Sequence, residues 1–150
     1  MKHSELAKKN FESGCNCAQA VLLAFSDVAG LDEATAMKLA ASFGGGMGKL
    51  REVCGALTGA FMATGMIYAD DCVPTQENKA AHYDKIRGLD NRFKEENGSY
   101  LCRELLEGVP VSKDSAPEKR TEQYYKKRPC GELCAIAAQL LDEILEQEKL

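Results

Sequence analysis

The sequence predicts an all-α protein, a compact bundle of six or seven helices. Three observations carry that reading. Apolar residues recur at i, i+3, i+4 and i+7 along most of the chain. No period-2 alternation persists, and the β-branched residues are scattered. Glycine, proline and N-cap residues punctuate the chain at helix-length intervals. The 150 residues suit one domain, 1–150, which buries roughly 68–70% of its unfolded surface and needs no disulfide staple.

Taken in order, Ser4 caps a first helix that Gly14 stops. A second starts near Asn16, carries the stripe Ala18, Val21, Leu22 and Phe25, and ends at Gly30. Asp32 caps a third, with Ala36, Leu39, Ala40 and Phe43 inward. The turn Gly44-Gly45-Gly46-Met47-Gly48 breaks the chain before a fourth helix from about Arg51 to Ala69. In that helix Gly55, Gly59 and Ala63 lie four apart. Glycine within a helix costs up to ~1 kcal/mol against alanine, so close backbone packing must offset it. Thr75 caps a long polar helix stopped by Gly98, and Ser99 caps a short one through Cys102 and Leu106. Val109 to Pro117 is turn-rich, with a short helix to Lys127 after it. Pro129 opens the last helix, whose apolar face is Leu133, Ile136, Ala137, Leu140, Leu141, Ile144 and Leu145.

Composition excludes several classes of function. A net charge of −4 argues against a nucleic-acid surface, which needs clustered Lys and Arg. Lys126-Lys127-Arg128 therefore reads as a solvated face. The longest uncharged stretch, Val53 to Ala69, has 17 residues, including three glycines, and falls short of a membrane span. No membrane role is expected. The first residues, Met1-Lys2-His3-Ser4-Glu5, lack the apolar core of a signal peptide. A cytoplasmic protein with reduced thiols is expected.

Seven cysteines, an odd number, then favour metal binding or thiol redox chemistry over a disulfide framework. Cys17, Cys54, Cys102 and Cys130 fall at predicted helix N-termini. Unpaired N–H groups and the helix dipole there favour the thiolate and lower the thiol pKa. These four are the expected metal ligands, meeting near the glycine turn, with Cys54 and Cys17 the thiols expected to carry the chemistry. Gly45 and Gly46 of the turn, with Gly55, are expected to approach the bound group through their backbone. Cys15 forms a C-x-C with Cys17, and Cys134 lies i, i+4 from Cys130, so each is a spare ligand, a resolving thiol or packing. Cys72, beside Asp70 and Asp71, is expected to be inert and outside the site. His82 shares a stripe with Ile86, Leu89 and Phe93 and reads as a packing histidine.

Here the chain resembles a known family. Cys54-Gly55-Ala56-Leu57-Thr58-Gly59 is similar to the C-G-A-x-x-G motif of the C_GCAxxG_C_C family. Asn16-Cys17-Ala18-Gln19-Ala20-Val21 and Phe43-Gly44-Gly45-Gly46-Met47-Gly48 resemble its flanking segments. Gly98 and Cys102-Arg103-Glu104-Leu105-Leu106 resemble its third block. The family's final C-P-x-x-V reads Cys130-Gly131-Glu132-Leu133-Cys134 here, so its fourth cysteine is Cys130 or Cys134, position favouring Cys130. The resemblance implies a four-cysteine redox role, related to the iron–sulfur-type portion of split-Soret cytochromes.

Three readings follow. The first is an iron–sulfur cluster held by the four thiolates, for electron transfer or redox sensing with a redox partner protein. The second is a metal-free thiol/disulfide enzyme with Cys54 attacking; the third is a structural zinc site. Haem is not expected, because no C-x-x-C-H occurs. The sequence leaves room for a homo-oligomer.

Overall fold

The computed structural model of the chain describes residues 1–69 and 74–148. Nine α-helices lie among them: α1 (His3–Glu12), α2 (Cys17–Ala24), α3 (Ser26–Ala29), α4 (Glu33–Ala40), α5 (Gly55–Tyr68), α6 (Gln76–Asn97), α7 (Cys102–Leu105), α8 (Glu122–Lys127) and α9 (Cys130–Glu148). The fold class is as expected, but the count exceeds six or seven. The stretch after Asn16 is two helices, because Phe25 (φ −98°, ψ 10°) leaves helical geometry. The short α7 and α8, both expected, count as helices of their own.

Local chemistry sets most boundaries. The Asn16 side chain accepts the Gln19 N–H while the Gln19 side chain accepts the Asn16 N–H, a reciprocal cap that places Cys17 first in α2. At α4 and α6 the Asp32 and Thr75 side chains accept the Thr35 and Asn78 N–H groups, a one-way cap. Gly30 and Gly98, both left-handed, end α3 and α6.

Elsewhere the boundaries move. Helix α1 begins a residue before Ser4, with Lys2 at its N-cap position. Ser99 is not a cap: its hydroxyl accepts the Leu101 N–H and donates to Glu104, and Leu101 precedes α7. Leu39, expected inward, is 48% exposed, because α4 runs along the surface and buries only Ala36 and Ala40. A 3₁₀ turn, Ala41–Phe43, follows and leaves Phe43 half-buried.

The largest revision is the start of α5. Gly45 to Lys49 and Arg51 all have positive φ, so no helix can begin at Arg51. The chain then runs extended through Val53, which forms an isolated antiparallel bridge with Leu101. The Cys54 N–H donates to the Tyr100 carbonyl (2.8 Å) and the Cys102 N–H to the Glu52 carbonyl (2.6 Å). Helix α5 starts only at Gly55.

The core follows from small residues. Helix α2 packs against α1, α5 and α9, while α6 covers α5 and α9. A Cβ at Gly59 would lie 2.7 Å from the Ala18 carbonyl oxygen, and one at Gly55 would lie 3.1 Å from the Ala18 nitrogen. The two backbones therefore touch, which is what the glycine spacing predicts. Ala18, Val21, Leu22, Leu57, Ala60 and Leu141 are fully buried around this contact. Among the described residues no helix is long and apolar enough to cross a membrane.

Candidate functional site

At the N-terminal ends of these helices lies a cavity of about 320 Å³. Cys17, Cys54, Cys102 and Cys130 all line it, beside Gly44, Gly45 and Gly46 of the turn. Cys17 is the first residue of α2, Cys102 of α7 and Cys130 of α9; Cys54 immediately precedes α5. Each sulfur is thus brought in by a different element.

The backbone explains how they come close. The α2–α5 contact sets Cys17 beside Cys54, for a Cβ at Gly55 would meet the Cys17 Cβ at 3.1 Å. Gly46 seats Cys102: its φ is +73°, and a Cβ there would come within 2.7 Å of the Cys102 Cβ. The extended antiparallel pairing sets Cys54 opposite Tyr100 and Cys102 opposite Glu52, so one short bridge positions both cysteines. Cys130 and Cys134 both reach the Cys17 side chain from α9. Cys134 is buried and directs its thiol to the Cys17 carbonyl (3.8 Å), but it does not line the cavity. Cys15 lies outside as well, 3.9 Å from the Met37 sulfur. Cys72 falls outside the described residues.

The expectation of lowered thiol pKa values is overturned. Burial pushes the Cys54 thiol up to about 12, against the opposing pull of the Ala56 and Leu57 N–H groups. Contact with Cys17 and burial raise Cys130. Cys17 gains from Cys130 but is held well above the ordinary range by Cys134 and burial. Burial raises Cys102 despite the Arg51 guanidinium, whose Nη1 lies 3.6 Å from its sulfur. In this low-dielectric cavity desolvation of the thiolate outweighs helix-end N–H groups. The resting thiols are therefore neutral.

A second wall, absent from the sequence reading, faces the sulfurs. It comes from Arg51 and from the strap 109–129, which supplies Glu118, Arg120 and Arg128. Lys49 ties the strap down, bonding Ser112 Oγ (2.7 Å), the Asp114 carbonyl (2.9 Å) and the Ala116 carbonyl. Arg120 donates to the Phe11 and Cys15 carbonyls and stacks on Phe11. Glu118 stands 3.4 Å from both Arg51 Nη2 and Arg128 Nη2. Burial raises its pKa, but the Ser112 amide and hydroxyl and the Arg128 charge together hold it at about 2. The reading of Lys126-Lys127-Arg128 as a solvated face fails at its last member. Lys126 and Lys127 are exposed, while the Arg128 side chain is 5% exposed. The one signal available was the arginine placed directly before Pro129-Cys130.

His82 is half-buried, its Nδ1 is buried without a hydrogen-bond partner among the described residues, and it does not line this cavity. It takes no part in the site.

Fold and site together define an all-helical protein with a shared cavity of cysteines at its helix ends. The comparison with known families is consistent with that class. The chain belongs to the C_GCAxxG_C_C family, whose model, described as "Putative redox-active protein (C_GCAxxG_C_C)", matches residues 15–144. That span contains all seven cysteines. No curated protein and no solved structure matches the chain.

Proposed function

We propose that Cys17, Cys54, Cys102 and Cys130 act as one redox site that holds an iron–sulfur cluster for electron transfer or redox sensing. One observation carries this reading: four thiols from four separate elements line a single cavity. Soft thiolates suit such clusters. Among the described residues no group of three or more ligands is placed to hold a metal ion.

A bound cluster would supply reversible one-electron transfer. The chain's own residues would do the rest. The four cysteines would ligate as thiolates, losing protons that burial makes hard to lose without a cation present. Gly46 and Gly55 leave room for Cys102 and Cys17, and Gly45 continues the turn along the cavity. Arg51 beside Cys102 and Arg128 beside Cys130 would offset ligand charge. An electron-transfer role calls for a redox partner protein, and a cytoplasmic location fits reduced thiols.

A metal-free dithiol remains a second reading, because the Cys17 side chain already contacts both Cys130 and Cys134. Oxidation of Cys17 and Cys130 by exchange with a partner protein's disulfide would form their S–S bond and leave the partner as a dithiol, which takes the two electrons and two protons. The raised pKa values of Cys54, Cys17 and Cys130 all speak against this second reading.

Anaerobic reconstitution separates these readings. The expected result is brown protein with iron and labile sulfide. Cys130→Ser should lose most of that iron, whereas Cys134→Ser, outside the cavity lining, should retain it. Colourless, iron-free protein, with a two-electron transition in a thiol redox titration, would transfer the case to the dithiol.

A further inference from the structure

The strap wall carries more positive charge than its partners consume. Lys49, Arg51 and Arg128 share the Glu118 carboxylate at 3.5, 3.4 and 3.4 Å, and among the described residues Lys49 alone has a second, Asp114, at 3.7 Å. Those distances exceed the ~2.7–2.9 Å of a charge-assisted hydrogen bond. Lys49 and Arg120 are committed elsewhere, to the strap carbonyls and to Phe11 and Cys15. Arg51 places Nη1 on the Cys102 sulfur and Nη2 on Glu118, and Arg128 borders Cys130 and Glu118, yet each keeps a spare donor. Among the described residues Arg51 Nε and Arg128 Nη2 are buried with no hydrogen-bond partner. Their side chains are 15% and 5% exposed, and both line the cavity. Burying guanidinium N–H groups without acceptors is costly, and native structures rarely leave them so.

We propose that Arg51 and Arg128 form a binding site for a small oxyanion inside the cysteine-lined cavity, with the Glu118 carboxylate as its internal competitor. The spare donors, Arg51 Nε and Arg128 Nη2, suit an anion with two acceptor oxygens, a carboxylate or a tetrahedral oxyanion. A cavity of about 320 Å³ limits the ligand to a small one. One side of the bound anion would face the arginines and the other the sulfurs. This goes beyond the redox reading and does not depend on it.

The test is calorimetric titration of the full-length, metal-free, reduced protein with sodium sulfate and, separately, with sodium acetate, at constant ionic strength. Saturable binding of at least one anion is expected, and the two arms distinguish a tetrahedral from a planar ligand. Glu118→Gln should tighten binding several-fold by removing the competitor. Arg51→Gln and Arg128→Gln should each weaken it about tenfold, while Lys113→Gln, an exposed strap charge, should leave it unchanged. Opposite signs for Glu118→Gln and Arg128→Gln are what a merely structural ion pair would not produce. No saturable heat with either anion, in wild type and in Glu118→Gln, overturns the proposal. So does weaker binding in Glu118→Gln, or equal losses in Lys113→Gln and Arg128→Gln. Because heat is read on metal-free protein, failure here leaves iron incorporation standing, and failed iron incorporation leaves this binding standing.

Discussion

The two walls of the cavity are built by opposite means. The inner wall, where α2 crosses α5, is made of alanines and glycines whose backbones touch, and it holds Cys17 and Cys54 by exclusion of space. The outer wall is a strap without regular structure from Val109 to Thr121, held by Lys49, Arg120 and Glu118 through charge and hydrogen bonds. Packing of the first kind tolerates no added atoms, whereas polar attachment of the second kind responds to pH and salt. The difference teaches where rigidity and adjustability belong in this protein. The cysteines are fixed to the inner scaffold, and the surface facing them is the part that can release.

The largest effect should come from breaking the inner wall. Alanine at Gly59 gains up to ~1 kcal/mol in helix propensity. Its Cβ, however, would sit 2.7 Å from the Ala18 carbonyl oxygen, a backbone atom that cannot rotate away. Overpacking of this kind costs about 1–3 kcal/mol or more, and here it should win by about 2 kcal/mol. At this chain length that corresponds to a fall in Tm of roughly 4–8 °C. A Gly59→Ala variant melting with wild type would show that the α2–α5 contact is not tight.

The outer wall should yield to acid before the inner one. Glu118 is held at about 2, below its ordinary 4.5. Its contribution to the closed strap is thus complete above about pH 4.5 and is lost as pH falls toward 2. Through that window the open form takes up a proton that the closed form resists. Hydrogen exchange at the Ser112 amide, which donates to Glu118 at 3.0 Å, should report about tenfold more opening at pH 2 than at pH 5. The rates must be corrected for intrinsic exchange. Glu118→Gln should remove the dependence. A flat protection profile for Ser112 would mean that the strap is held by something other than this carboxylate.

How much could be read from the sequence follows the same division. Asn16, Asp32, Thr75, Gly98 and Pro129 act locally, on N–H groups or dihedrals within a few residues, and the helix ends they mark fell where expected. The spacing of Gly55 and Gly59 marked a close helix contact, and the helix-end positions of the four cysteines marked their shared cavity. What stayed hidden depends on distant pairing. Arg51 looked like the start of a helix because nothing local reveals the bridge between Val53 and Leu101, 48 residues on. The thiol pKa values were misread because local dipoles are visible in a sequence and burial is not. Arg128 and Glu118 meet through a strap with no periodicity to betray it.

The smallest predicted effect sharpens the contrast between glycines that are needed and one that is not. Gly88 sits inside α6, as Gly59 sits inside α5, yet nothing lies within 4 Å of a Cβ built on it. It is exposed, outside both walls of the cavity, and its φ is not in the left-handed region. No packing or conformational demand therefore opposes a side chain. Alanine there should restrict the unfolded chain and favour the helix, stabilising the protein by about 0.5–1 kcal/mol. Thermal unfolding should show Gly88→Ala raising Tm by roughly 1–4 °C, the opposite sign to Gly59→Ala from the same chemical change. If Gly88→Ala also destabilises, intrinsic helix preference is being overridden on the α6 surface, and the assignment of Gly59's cost to its contact with Ala18 loses its control.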